Sequence, residues 1–354
     1  MDRLPIAIVG ASGYTGAELL RLLLLHPRIE IASISAGRAA GTPIGEVFPQ
    51  FRDRLDMVVE TFDAAKLKSQ AQLVFTALPH AQSAPVVAQL REQGLQVVDL
   101  SADFRLHEQE VYEEWYGSEE QPVHPCADYL NTAVYGLPEL HRDSIAKANL
   151  VAAPGCYPTG AILAAAPFLK AGLISAKGLI VDSKSGVSGA GRNPSSGAHF
   201  PEVGEGIRAY KVAGTHRHTP EMEQELSAVA SADVRLTFTP HLAPMTRGIL
   251  SCVYGVPTDD SLPAGAYQDA LESFYRDEEF VTVLPEDALP DTAHVRASNR
   301  VHVAVRYDAR AQRVVMISAI DNLTKGSSGQ AIQCMNLMRG WDEALGLEAV
   351  ASFP

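Results

Sequence analysis

Cys156 stands in the run Ala153-Pro154-Gly155-Cys156-Tyr157-Pro158-Thr159, after an apolar stretch at 150–153 that reads as a strand and before one at 161–170 that reads as a helix. A cysteine beside a helix start feels unsatisfied N–H groups and the positive end of the helix dipole, and both favour thiolate over thiol. That makes a nucleophile near neutral pH. A buried structural cysteine is the plainer alternative. The place of Cys156 at the boundary between two inferred domains, where active sites tend to form, favours the nucleophile.

A nucleophile needs a base. His216-Arg217-His218 runs into Thr219-Pro220-Glu221, a helix start with Thr as cap and Pro in the first turn. The positive helix end disfavours imidazolium, so His218 is expected to be a neutral proton acceptor, with Arg217 able to hold an anion. The competing reading is a surface His-Arg-His cluster. A glycine-rich loop, Lys184-Ser-Gly-Val-Ser188-Gly-Ala-Gly-Arg192, carries two cations and two hydroxyls after a strand, which suits phosphate or carboxylate. A flexible connector would look similar. His26, His80 and His107 carry no assignment.

Gly10-Ala11-Ser12-Gly13-Tyr14-Thr15-Gly16 follows a strand and opens a helix, the context in which glycines let a backbone approach a pyrophosphate. Its spacing is G-x-x-G-x-x-G rather than G-x-G-x-x-G. About 20 residues on, where an NAD-binding chain carries an acid for the ribose hydroxyls, stand Ser35 and then Arg38. A hydroxyl and a guanidinium suit a 2′-phosphate, so NADP(H) is the expected cofactor.

These residues need a scaffold, and the apolar pattern supplies an α/β one. Strands at 6–9, 29–34, 73–78 and 97–100 alternate with helices at 17–26 and 85–93, as in a Rossmann-type doubly wound parallel sheet over 1–150. From 178 the texture changes to strand-like runs at 179–183, 234–239, 248–256, 301–307 and 314–320, the last two a hairpin. This reads as an α+β catalytic and oligomerisation domain over 151–322, with a mixed, largely antiparallel sheet. The stripe Ile332, Met335, Met338, Trp341 and Leu345 marks a C-terminal helix within 323–354 that completes the first domain.

At 354 residues the chain is long enough for two cores. Its net charge of −13 disfavours nucleic acid and anionic membranes. The apolar stretch 19–25 is interrupted by Arg21 and is too short to span a bilayer, and the first residues do not resemble a signal peptide. Cys126, Cys156, Cys252 and Cys334 lie far apart without a C-x-x-C pair, so no metal site and no disulfide framework is expected. A reducing cytoplasm fits this usage.

Taken together, Gly10–Gly16, Ser101-Ala-Asp-Phe-Arg105, Ala153–Thr159, Ser185–Arg192, His216-Arg217-His218 and Asp321-Asn-Leu-Thr-Lys-Gly326 resemble the N-acetyl-γ-glutamyl-phosphate reductases. The resemblance implies NADPH-dependent reductive dephosphorylation of a small acyl phosphate, through a cysteine thioester, in arginine biosynthesis. It implies Cys156 as nucleophile and His218 as proton shuttle. It makes His216, Arg217, Arg192, Ser188 and Tyr210 candidates for holding phosphate and carboxylates, and brings Asn322, Lys325 and Gly326 beside the nicotinamide. A homo-oligomer, dimer or tetramer, is implied as well. The alternatives are a reductase of carrier-protein-linked aminoadipyl or glutamyl phosphate and a non-catalytic NADP-sensing protein. The first asks for a basic rim that −13 disfavours, and the second leaves Cys156 with His218 without a reason.

Overall fold

A computed structural model describes residues 3–194, 196–263 and 265–353. The chain divides into two compact units, one running to Pro154 and including Ser327–Glu348, the other formed by Gly155–Gly326 with the residues from Ala349 on.

Six strands build the sheet of the first unit: β1 (Leu4–Val9), β2 (Ile29–Ser35), β3 (Leu73–Thr76), β4 (Gln96–Asp99), β5 (Val134–Tyr135) and β6 (Leu150–Ala152). Their order is β2-β1-β3-β4-β6-β5, and every pairing is parallel. Helices on both faces of such a sheet bury each strand twice, which is why Ile6 to Val9 and Leu73 to Phe75 are continuously apolar and buried. Helices Tyr14–Leu23, Ser83–Glu92 and Gly329–Met338 contribute to this cover.

The C-terminal helix is shorter than its apolar stripe suggests. It stops at Met338 because Gly340, at φ +63°, reverses the chain. Gly340 N–H then donates to the Leu337 carbonyl (3.0 Å) and Trp341 N–H to that of Asn336 (2.9 Å), the two bonds of a Schellman closure. Trp341 therefore lies past the helix, stacked near His26 (5.6 Å between centroids) with Arg28 over its ring (4.7 Å). The last residues belong to the other unit, where Ser352 N–H donates to the Arg296 carbonyl at 2.9 Å.

Seven strands form the sheet of the second unit: β7 (Lys177–Ser185), β8 (Arg208–Ala209), β9 (Arg235–Leu242), β10 (Ile249–Gly255), β11 (Val281–Val283), β12 (Val301–Asp308) and β13 (Arg313–Ile320). They are ordered β11-β12-β13-β10-β7-β9-β8. The pairs β7–β9 and β11–β12 are parallel and the other four antiparallel, including the β12–β13 hairpin. One face carries helix Cys156–Lys170, whose residues from Tyr157 to Leu169 are all buried. Contact is close because the facing positions are small. Gly160 lies over Ser318, whose hydroxyl donates to its carbonyl (2.7 Å), and Ser183 and Ser251 bond each other alongside (2.7 Å).

The turn after β1 has its own steric demand. Gly10 leaves the strand at φ +95° and passes so near Ala77 that a Cβ would lie 2.4 Å from its carbonyl oxygen. Gly10→Ala is expected to cost on the order of 3 kcal/mol through strain and backbone collision, whereas Gly41→Ala, also at positive φ but in open space, should cost about 1 kcal/mol. Urea unfolding of the two variants measures the difference.

Candidate active site

Cys156 is the first residue of its helix rather than one that precedes it, so the helix begins five residues before the expected 161. Gly155 is the cap, in an extended conformation, and Pro158 falls in the first turn, where its missing N–H costs little. The Gly155 peptide is held from both sides: its N–H donates to Glu221 Oε1 (2.7 Å), and its carbonyl accepts from Thr159 N–H (3.0 Å) and Oγ1 (2.9 Å). Gly326 closes over the cysteine, since a Cβ there would lie 2.9 Å from Cys156 Cβ. That residue sits in a short π-helix, Thr324–Ser328. Such widened turns occur often at functional positions.

His218 itself takes the cap position of helix Thr219–Ala230, displacing Thr219 from the role its side chain suggests. The His218 N–H donates to His216 Nδ1 (3.1 Å), and Thr219 N–H to the His216 carbonyl (2.9 Å). His216 is buried in an aromatic cage of Tyr157, Tyr210, Phe238 and His218, with ring centroids 4.9–5.6 Å away. Burial, helped by Lys211 and Arg217, drives its pKa down to about 4. The ring is therefore neutral, with Nδ1 accepting the His218 N–H.

Tyr210 OH donates to Tyr157 OH (3.1 Å), which donates to the His241 carbonyl (3.0 Å). Burial pushes both phenols upward, Tyr210 to about 12, and a charge on Cys156 pushes them in the same direction. Both therefore remain neutral donors. The structure thus groups Cys156, Tyr157, Tyr210, His216, His218 and Glu221.

The second glycine-rich loop is ordered at its start. Val187 and Ser188 N–H donate to the Met245 and Thr246 carbonyls (2.9 and 3.1 Å), and Asn322 Nδ2 donates to Ser188 Oγ (2.9 Å). Asn322 Oδ1 accepts Gly248 N–H (2.8 Å), so both ends of that amide pin loops of the second unit. Lys325 is wholly buried, its ammonium 5.6 Å from the Phe280 ring centroid. Both side chains are thus engaged within the second unit. Arg192 is exposed just past Gly191, and Arg217 is half-buried between the two histidines.

In the first unit, Gly13 caps helix Tyr14–Leu23 in an extended conformation, without a capping side chain and without an acid in the first turn. Its opening N–H groups thus suit an anion. Ser12 and Thr15 are half-buried at this end, Tyr14 is 40% exposed, and Gly16 is buried. Ser35 ends β2 with its hydroxyl buried and lacking a hydrogen-bond partner. That costs about 1–3 kcal/mol, which a ligand hydroxyl or phosphate oxygen would offset. Arg38 follows, exposed. These residues fit a dinucleotide.

Two features had no assigned role in the sequence. Glu221 reads there only as part of a helix start. In the Ser101–Arg105 segment, Asp103 accepts from Ala81 and Ala84 N–H (2.7 and 2.9 Å), and Arg105 Nε donates to the Ala153 carbonyl (2.8 Å) just before the cysteine turn. Acids and an arginine after a strand were the available signal, but their partners lie 19 to 48 residues away.

Comparison with known proteins places these features in a family. Residues 5–148 match the semialdehyde dehydrogenase NAD-binding domain and residues 156–322 the semialdehyde dehydrogenase dimerisation domain. The chain is 50% identical over 351 residues to the N-acetyl-gamma-glutamyl-phosphate reductase of Geobacter sp. (strain M21), covering 99% of this chain and 100% of that one. It is 48% identical, with the same coverage, to the reductase of that name from Desulfotalea psychrophila. Among solved structures it resembles aspartate semialdehyde dehydrogenase II complexed with ASA from Vibrio cholerae (TM-score 0.72, 17% identity, 96% of this chain and 99% of that one). It also resembles aspartate semialdehyde dehydrogenase with NADP from Candida albicans (TM-score 0.72, 16% identity, 95% and 98%). At these identities the structural likeness speaks to fold.

The depressed His216 pKa has a consequence for stability. The unfolded chain takes up a proton near pH 6.5 that the folded one refuses until about pH 4, so this stabilisation is present above 6.5 and is lost as pH falls from 6.5 to 4. His216→Phe should flatten that acid limb by on the order of 3 kcal/mol, read from urea unfolding at several pH values.

Proposed function

The chain belongs to the N-acetyl-γ-glutamyl-phosphate reductase family of semialdehyde dehydrogenases, and from that membership we infer that Cys156 and His218 carry its reaction. The reaction is NADPH-dependent reductive dephosphorylation of N-acetyl-L-glutamyl 5-phosphate to the 5-semialdehyde and phosphate, in arginine biosynthesis. The observation that carries the assignment is that Cys156 opens one helix and His218 caps another, with Glu221 of the second helix bonded to the cap of the first.

The Cys156 sulfur attacks the acyl carbon, the bond from that carbon to the phosphate oxygen breaks, and a thioester remains on the enzyme. His218 receives the thiol proton, lends it to the oxygen of the thiohemiacetal, and takes it back as the C–S bond breaks, so that the aldehyde leaves and the Cys156 sulfur is restored. The N–H groups at the start of helix Cys156–Lys170 would stabilise the oxyanion charge that develops. Arg217 and Arg192 supply cations for phosphate and carboxylate and Ser188 a neutral donor, while Tyr210, whose proton goes to Tyr157, lines the site. When bound, NADPH supplies the hydride that takes the thioester to the aldehyde level. Gly10 to Gly16 would hold its pyrophosphate, with Ser35 and Arg38 at its 2′-phosphate and Gly326, which has no side chain to intrude, toward the nicotinamide.

Reverse turnover tests this reading. N-acetylglutamate semialdehyde, phosphate and NADP should give phosphate-dependent NADPH formation, and Cys156→Ser should lower it by about 10³-fold or more while NADP still binds. Phosphate-dependent turnover in Cys156→Ser would remove the thioester route.

The family's dimerisation domain makes the chain a homo-oligomer, and we propose the sheet face turned away from helix Cys156–Lys170 as its interface. There β10 presents Leu250, Cys252 and Tyr254, β13 presents Val315 and Ile317, and β7 presents Ile180, which is 42% exposed. Asp182 pairs with Lys184 (2.8 Å) and His241 (3.2 Å) beside this apolar strip. A dimer through it, or a tetramer that includes it, should dissociate in Ile317→Lys, as measured by analytical ultracentrifugation. No described helix is long and apolar enough to cross a membrane, and we propose the cytoplasm as the site of action.

A further inference from the structure

Glu221 is the third residue of helix Thr219–Ala230, one turn below the His218 cap, and is only 1% exposed. An acid at that position ordinarily folds back to accept the N–H of its own helix cap. Here the cap N–H, that of His218, is already donated to His216 Nδ1 at 3.1 Å. Glu221 reaches instead to the neighbouring helix and accepts Gly155 N–H at 2.7 Å, the donor directly before the cysteine.

The geometry around Gly155 makes this bond consequential. Thr159 holds the carbonyl of Gly155 by two hydrogen bonds, and Glu221 holds its N–H. With both polar groups fixed, the cap of the cysteine helix has no freedom to rotate, and the direction in which Cys156 leaves the backbone is set. Gly155 has no side chain through which packing could do the same. The residue that fixes it stands three positions after His218, so one carboxylate ties the frame of the proposed nucleophile to that of the proposed base. Two helix starts, each with a partial positive charge, offset the cost of burying its charge.

We propose that Glu221 is a positioning residue for the reductase reaction: by accepting Gly155 N–H it holds the start of the Cys156 helix in register with the start of the His218 helix. This rests on the reading of Cys156 and His218 given above. The hydrogen bond is what acts, and it requires an acceptor of glutamate length rather than a negative charge as such. Small displacements of reacting groups are costly in rate, whereas substrate and dinucleotide contacts made elsewhere are untouched.

The experiment measures kcat and KM in both directions, NADP binding and thermal unfolding for full-length Glu221→Gln, Glu221→Asp and Glu221→Ala beside Cys156→Ser. Glutamine keeps an acceptor at the same reach, so Glu221→Gln should retain kcat within about 5-fold, while Glu221→Asp, charged but shorter, and Glu221→Ala should lose about 10- to 100-fold or more. KM and NADP binding should change less than about 3-fold in all three. Should Glu221→Ala misfold, the contrast between the charged short variant and the neutral long one still decides the matter. Full activity in Glu221→Asp and Glu221→Ala would overturn the proposal. So would a Glu221→Gln as slow as Glu221→Ala, or a loss of kcat that tracks melting temperature and KM across the series. Turnover retained in Cys156→Ser would instead sink the reading on which the proposal rests, whatever the Glu221 variants do.

Discussion

Helix Cys156–Lys170 must be buried along its length and still begin at the proposed nucleophile, and most of the second unit follows from that pair of demands. A helix apolar on all sides is stable only when packed on all sides. Gly160, Ala161, Ala164 and Ala165 allow the sheet to approach, and the sheet answers with Ser183, Ser251 and Ser318, whose hydroxyls bond each other or the helix backbone. Tyr275 OH donates to the Leu163 carbonyl at 2.5 Å on another side. The price is that the first turn cannot be finished by its own side chains, since Gly155, Cys156 and Pro158 offer no cap. Neighbouring segments finish it: Glu221 on the N–H of Gly155, and Gly326 above the sulfur-bearing carbon.

Those segments are themselves held by buried polar knots. Asp321, wholly buried, accepts from Leu323 N–H (2.8 Å), Thr324 N–H (3.0 Å) and Ala297 N–H (2.6 Å) and pairs with Arg247 (3.2 Å), so that the chain enters the π-helical turn from a fixed point. Asn322 fastens the next step to the glycine-rich loop and to Gly248. In the first unit Asp99 plays the same part: its carboxylate accepts from Thr76, Ser83 and Ser101 hydroxyls at 2.5–2.6 Å, while burial first and Asp103 second push its pKa upward. A buried carboxylate with this many donors resists displacement because removing any partner leaves polarity unsatisfied in low dielectric.

What could be read along the chain was what neighbours in sequence decide. The glycine turn, the parallel-sheet strands and the β12–β13 hairpin depend on local pattern, and each stands within a few residues of its expected place. Helix registers were harder, because Cys156 and His218 displace the expected starts by packing rather than by propensity. The C-terminal stripe continued past Gly340, whose positive φ breaks it, since periodicity carries no notice of a reversal. Only the resemblance spoke for Asn322 and Lys325, because the partners that hold them, Ser188 and Gly248 for one and the Phe280 ring for the other, lie far along the chain. Glu221 was invisible as a brace for the same reason: its partner is 66 residues away.

Charge is the remaining constraint. A chain of net charge −13 that handles an acyl phosphate must confine its cations to the site. The aromatic cage does part of this by remaining uncharged: His216 is kept neutral to about pH 4, and Tyr210 to about pH 12. Across that interval these two side chains contribute shape and hydrogen bonds but no field. On the proposed reading the attraction for phosphate is then left to Arg217, Arg192 and the helix start at Cys156. Arg217 has a double part, since the same cation that can meet an anion also helps hold His216 neutral.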